Sequence, residues 1–114
     1  MGKFMKVKEL AEKLKLDVIT NEDNTGGEIN GCYIGDLLSW VMGKAEADNV
    51  WITIMSNINI VAVASLTGVS CILLCEGVTP DKDVIDKANA QDVVILRSDK
   101  TAYELALMID GALK

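Results

Sequence analysis

Four stretches of strand-forming sequence end in short polar pairs: Gly35-Asp36, Ser56-Asn57, Glu76-Gly77 and Ser98-Asp99. In open parallel sheets, ligands bind outside the carboxyl ends of the strands. Asp36, Ser56, Asn57, Glu76 and Ser98 are therefore the side chains placed to line a crevice for a small ligand, a nucleotide or another metabolite. The competing use of the same side chains is to cap the helices that follow the strands.

Nothing comparable points to catalysis. The chain has no histidine. That removes Ser-His-Asp and Cys-His arrangements, histidine-based zinc sites and an imidazole switch near neutral pH. The three cysteines, Cys32, Cys71 and Cys75, are an odd number and no disulfide framework. Cys71 and Cys75 would lie about 13 Å apart along a strand, too far to share a metal, and read as buried reduced thiols. Gly43-Lys44 is not a phosphate-binding loop, which needs G-x-x-x-x-G-K-[ST] on a strand-to-helix turn. Gly35 lies eight residues before Gly43, and Ala45 stands where the hydroxyl belongs. Gly26-Gly27 lacks the strand-turn-helix context of a dinucleotide fingerprint. Asp81, Asp83 and Asp86 suit the dipole and the exposed face of one helix. No catalytic residue, metal or cofactor is expected.

The elements that would position the strand-end residues centre on Val50 to Gly77, which reads VWITIMS, NINIVAVASLTG, VSCILLCEG. Strand, helix and strand without a hairpin turn make a βαβ unit, right-handed in nearly every case. Ahead of it, Met5–Leu16 has apolar residues at Val7, Leu10, Ala11 and Leu14, the spacing of an amphipathic helix. Val18–Thr20 is a short strand, Asn21–Glu28 a polar loop, and Ile29–Ile34 a strand with Gly31 as a bulge or close-approach site. Asp36 can cap a helix to Met42, with Gly43 to end it. Val50–Met55 and Cys71–Cys75 are strands flanking a helix from Asn59 to Thr67, which Gly68 stops. Thr79-Pro80 opens a helix to Ala90, Val93–Leu96 is the last strand, and Thr101 to Glu104 is a capping box for a helix to Leu113. Tyr103, Leu105, Ala106 and Ile109 supply its apolar positions. The alternation predicts one three-layer α/β/α domain over residues 1–114, with a mostly parallel sheet of about five strands.

Charge narrows the partners. Residues 1–16 carry five lysines against Glu9 and Glu12, a net +3, which leaves −9 for the remainder of a total of −6. An acidic body disfavours nucleic acid, and the basic start reads as the solvated face of a helix. No apolar run approaches the roughly 20 residues that cross a bilayer, and no signal-peptide apolar region follows the basic start. A cytoplasmic protein is expected. The stretches Leu37–Met42 and Ile58–Leu66 are apolar around most of a helix, and such helices need cover on every side. Leu37, Leu38, Trp40, Val41 and Met42 are therefore expected to meet a second copy in a two-fold dimer.

The block NGCYIGDLLSWVMGKAEADNVWIT, followed by NINIVAVASL, resembles the DRTGG domain family. The opening KVKELAEKLKLDVIT and the ending SDKTAYELA extend the resemblance over nearly the whole chain. Its motif residues here are Asn30, Gly31, Cys32, Tyr33, Gly35 and Asp36. In that register the family's threonine-glycine-glycine falls on Asn30-Gly31-Cys32, which keeps the central glycine, and the family's arginine is absent. The resemblance implies a fold similar to the N-terminal domains of HPr kinase/phosphorylase and of Mur ligases. It also implies a non-catalytic regulatory or scaffolding role, through homodimerisation and an unidentified protein partner. A small-ligand sensor using the strand-end crevice is the alternative.

Overall fold

The computed structural model describes residues 5–114. Its main sheet has five strands: β2 (Asp17–Val18), β4 (Gly31–Ile34), β5 (Asn49–Thr53), β6 (Cys71–Leu74) and β7 (Ile95–Arg97), in the order β2-β7-β6-β5-β4. From β4 to β7 neighbours are parallel, and only β2 runs antiparallel, against β7. The path β4 to β5 to β6 to β7 steps steadily one way, so right-handed crossovers put all three connecting helices on one face. These are α2 (Leu38–Lys44), α3 (Asn59–Thr67) and α4 (Lys82–Ala90). The other face is covered by α1 (Val7–Leu14) and α5 (Ala102–Leu113). The expected three-layer α/β/α fold is observed.

Side-chain alternation along the strands divides the core in two. Val50, Ile52, Cys71, Leu73 and Leu96 meet α1 and α5. Trp51, Ile72, Leu74 and Ile95 meet α2, α3 and α4. Trp51 is fully buried, and its indole N–H donates to the Gly35 carbonyl at 2.8 Å. Among the described residues, no buried side-chain nitrogen or oxygen lacks a partner.

Several boundaries differ from the sequence reading, for tertiary reasons. Met5–Lys6 is not helical; it forms β1, paired antiparallel with β3 (Glu28–Ile29). The predicted strand Ile29–Ile34 thus breaks at Asn30 into β3 and β4, which belong to different sheets. Asn30 is held there by backbone and side-chain bonds to Asp48, Ala47 and Asn49. Gly31 is no bulge: it sits in register with Asn49, and a Cβ there would lie 3.5 Å from Asn49 Nδ2, an ordinary contact. The loop before β3, with a 3-10 turn at Glu22–Asn24, supplies carbonyls of Gly27 and Thr25 to the N–H groups of Val7 and Lys8. Those N–H groups are among the ones a helix start leaves unpaired.

β2 begins one residue before the expected Val18 and ends two before Thr20. β5 and β6 stop at Thr53 and Leu74, short of Met55 and Cys75, while β7 is Ile95–Arg97 instead of Val93–Leu96. Gly43 lies inside α2 instead of ending it. The α4 cap position is Asp81, so Thr79-Pro80 precedes the helix without capping it. The helix Asn59–Thr67 ends at Gly68 as expected, in the left-handed conformation (φ 77°). The Thr101–Glu104 capping box forms and α5 runs to Leu113. Leu105 and Ile109 of α5 are buried, but Tyr103 points to solvent.

Candidate functional site

The strand-end residues do their work locally, in two pairs of loops. Asp36 does not cap α2; Leu37 occupies that position. Instead one carboxylate oxygen of Asp36 accepts from the Thr53 hydroxyl at 2.7 Å and the Ile54 N–H at 3.0 Å. That ties the loop after β4 to the loop after β5. Asn57 accepts from the Asn59 N–H at 2.9 Å, a turn at the start of α3. Glu76 is exposed with φ 59°, and its N–H donates to the Lys100 carbonyl at 2.8 Å. The Gly77 N–H donates to the Ser98 carbonyl, so the loops after β6 and β7 are also joined. The Ser98 hydroxyl accepts from the Lys100 N–H at 3.1 Å. Ser56 is half-buried beside Asn57.

The clefts of the described surface include three of about 250 to 450 Å³. Of the five predicted crevice residues, Ser98 alone lines one of them. Its cleft, about 450 Å³, lies where the carboxyl end of β7 meets the end of α1. Lys13, Lys15, Arg97 and Lys100 surround it, with Asp17, Asp99 and an apolar wall of Leu14 and Met108. Arg97 is pinned by its neighbours: Nε donates to the Thr79 hydroxyl, one Nη to Asp17, and the other to the Gly77 carbonyl and Asp99. These contacts span 2.9–3.3 Å and fix the guanidinium plane. Sequence reasoning missed this cluster. Its one legible signal was Arg97, the sole arginine of the chain, at a strand end; Lys13 and Lys15 looked like a solvated helix face.

A second cleft, about 420 Å³, runs between β4 and α5 and is lined by the motif residues Gly31, Cys32 and Tyr33 together with Ile109 and Leu113. The third, about 250 Å³, lies between α1 and the Glu22–Thr25 turn. Among the described residues, no three Cys, Asp or Glu side chains are grouped to hold a metal ion.

The α2 face divides sharply. Val41 is fully buried against α3 and the sheet, so it is corrected from the surface set to the core. Leu38 is half-buried against the same core. Leu37, Trp40 and Met42 are exposed by 62%, 59% and 49%. Ile34, Ile54 and Ile58, at the exits of β4 and β5 and the start of α3, are exposed too. Lys44 lies over the Trp40 ring, 5.1 Å from its centroid, a cation–π contact. Gly35 keeps the loop tight, since a Cβ there would come within 3.0 Å of the Tyr33 ring.

Burial pushes the thiols away from reactivity. Desolvation raises Cys71 to about 12, with Cys32 adding to it, and raises Cys32 to about 11. Cys75 is raised as well, first by burial.

No curated protein sequence matches the chain. Among solved structures, it is similar to the CBS and DRTGG domains of the regulatory region of Clostridium perfringens pyrophosphatase, in complex with the activator diadenosine tetraphosphate. The TM-score is 0.73 at 15% identity, over 91% of this chain and 45% of that one. The chain thus spans less than half the length of that neighbour, and the likeness is one of fold. The DRTGG domain profile matches residues 9–112. With nearly the whole chain matched and the fold shared, this protein belongs to the DRTGG domain family.

Proposed function

We propose that the chain is a non-catalytic regulatory domain that self-associates through the exposed apolar side chains of α2 and its cap and presents the assembled pair to a protein partner. The observation that carries this reading is the exposure of Leu37, at the cap of α2, and of Trp40 and Met42, which flank the helix on either side of buried Val41. Clustered apolar surface of this kind marks contact sites. Asp36 extends the patch by holding the Leu37 and Ile54 loops together. A second copy is the favoured occupant because a two-fold axis lets one patch cover itself. The family's presence in the regulatory region of a pyrophosphatase supports a regulatory role.

Sedimentation velocity tests it. Wild type is expected to sediment as a dimer at tens of micromolar, and Trp40→Asp and Met42→Lys as folded monomers. A monomeric wild type would sink the reading. A second reading, a small-ligand sensor, is favoured by the lysine-lined cleft at the end of β7 and by the activator bound in the pyrophosphatase region.

A further inference from the structure

We infer that the cleft between the end of α1 and the exit of β7 binds the phosphate groups of a small phosphorylated molecule. This deepens the sensor reading and is independent of self-association. Folding gathers positive charge here from both ends of the chain: Lys13 and Lys15 from α1 and its exit, Arg97 and Lys100 from β7 and its loop. Four cations stand against two carboxylates, and both carboxylates, Asp17 and Asp99, are already engaged by Arg97. Among the described residues, the ammonium groups of Lys13, Lys15 and Lys100 have no hydrogen-bond or ion-pair partner, unlike those of Lys82 and Lys114.

The ordinary account of lysines at a helix end is interaction with the dipole. It covers Lys13 and Lys15 but not Lys100, which arrives from the other side of the cleft. Nor does it cover Arg97. A guanidinium has five N–H donors; four are used, by Thr79, Asp17, Gly77 and Asp99. One Nη1 proton is left on a group already fixed in place, and a pre-set guanidinium suits phosphate oxygens.

Size and charge select the ligand class. About 450 Å³ falls within the range of small-molecule sites. A long polyanion would have to lie along a chain of net charge −6, which repels it. A small one meets only the local positive field.

Isothermal titration of the full chain at low salt is the test, with tripolyphosphate, ATP and adenosine as probes. Tripolyphosphate and ATP are expected to bind, more weakly as salt rises, and adenosine not to bind. The double variant Lys15→Gln/Lys100→Gln should weaken tripolyphosphate binding about tenfold or more, while Lys82→Gln/Lys87→Gln, with lysines on α4 outside the cleft, should leave it unchanged. Amide shifts in wild type should concentrate at residues 13–17 and 97–100. Absence of binding overturns the inference, as does equal weakening in both doubles or shifts spread over the surface. Sedimentation of the same samples keeps the self-association reading separately testable.

Discussion

At the scale of single residues, Asp36 and the cysteines show how a motif can be structural. The Asp36 carboxylate accepts the hydroxyl of Thr53, a buried residue whose oxygen in turn accepts the Met55 N–H. Asp36→Ala leaves that buried hydroxyl without its acceptor, and such a loss costs about 1–3 kcal/mol. Urea unfolding should show it, and Thr53→Val should cost much less in the Asp36→Ala background than in wild type. Equal costs in both backgrounds would mean the two side chains are not coupled. Because the same carboxylate holds Ile54, the variant should also weaken self-association. The thiols lead to a second expectation. With Cys71 raised to about 12 and Cys32 to about 11 by burial, the thiolate that reacts is scarce at neutral pH. A disulfide reagent should label native protein slowly, at half-buried Cys32 first, and all three cysteines quickly in denaturant. Fast labelling of Cys71 in native protein would contradict the burial.

Elements were legible where their ends carry their own chemistry. α5 formed as the Thr101–Glu104 box indicated, and α3 stopped at Gly68. They were illegible where a distant segment supplies the ends. The sequence reading carries α1 back to Met5, yet pairing with β3 pulls Met5–Lys6 into a strand. Asp36 has the side chain of a cap, but Thr53 and Ile54, brought near by the parallel register of β4 and β5, claim it. For the same reason the candidate crevice residues are tied into two separate pairs of loops, and the cleft beside Ser98 joins segments far apart in sequence. The box in α5 makes a pH prediction. The Thr101 N–H and then its hydroxyl hold the Glu104 carboxyl below the usual range. A depressed carboxylate contributes stability above its unfolded value, about 4.3, and loses it as pH falls through the folded value. Glu104→Gln should therefore melt lower than wild type at neutral pH, with the gap closing in acid. A gap independent of pH would show that the charge contributes nothing.

Over the whole molecule, the apolar face is not a sign of loose folding. The accessible surface is 6170 Å², against about 6100 Å² for a compact monomer of this mass. The subunit is closed on itself and still leaves Leu37, Trp40 and Met42 outside. Net charge then decides how association should respond to salt. Two subunits of −6 each repel, and salt screens that repulsion, while apolar contact is not weakened by screening. Raising salt from about 20 to about 500 mM shortens the Debye length from roughly 20 to 4 Å. Sedimentation equilibrium should then show a tighter dimer at the higher salt, with Trp40→Asp monomeric throughout. Binding of tripolyphosphate should move the opposite way over the same range, because it depends on the lysine charges themselves. A dimer that loosens with salt would mean that ion pairs, not the α2 face, hold the two copies together.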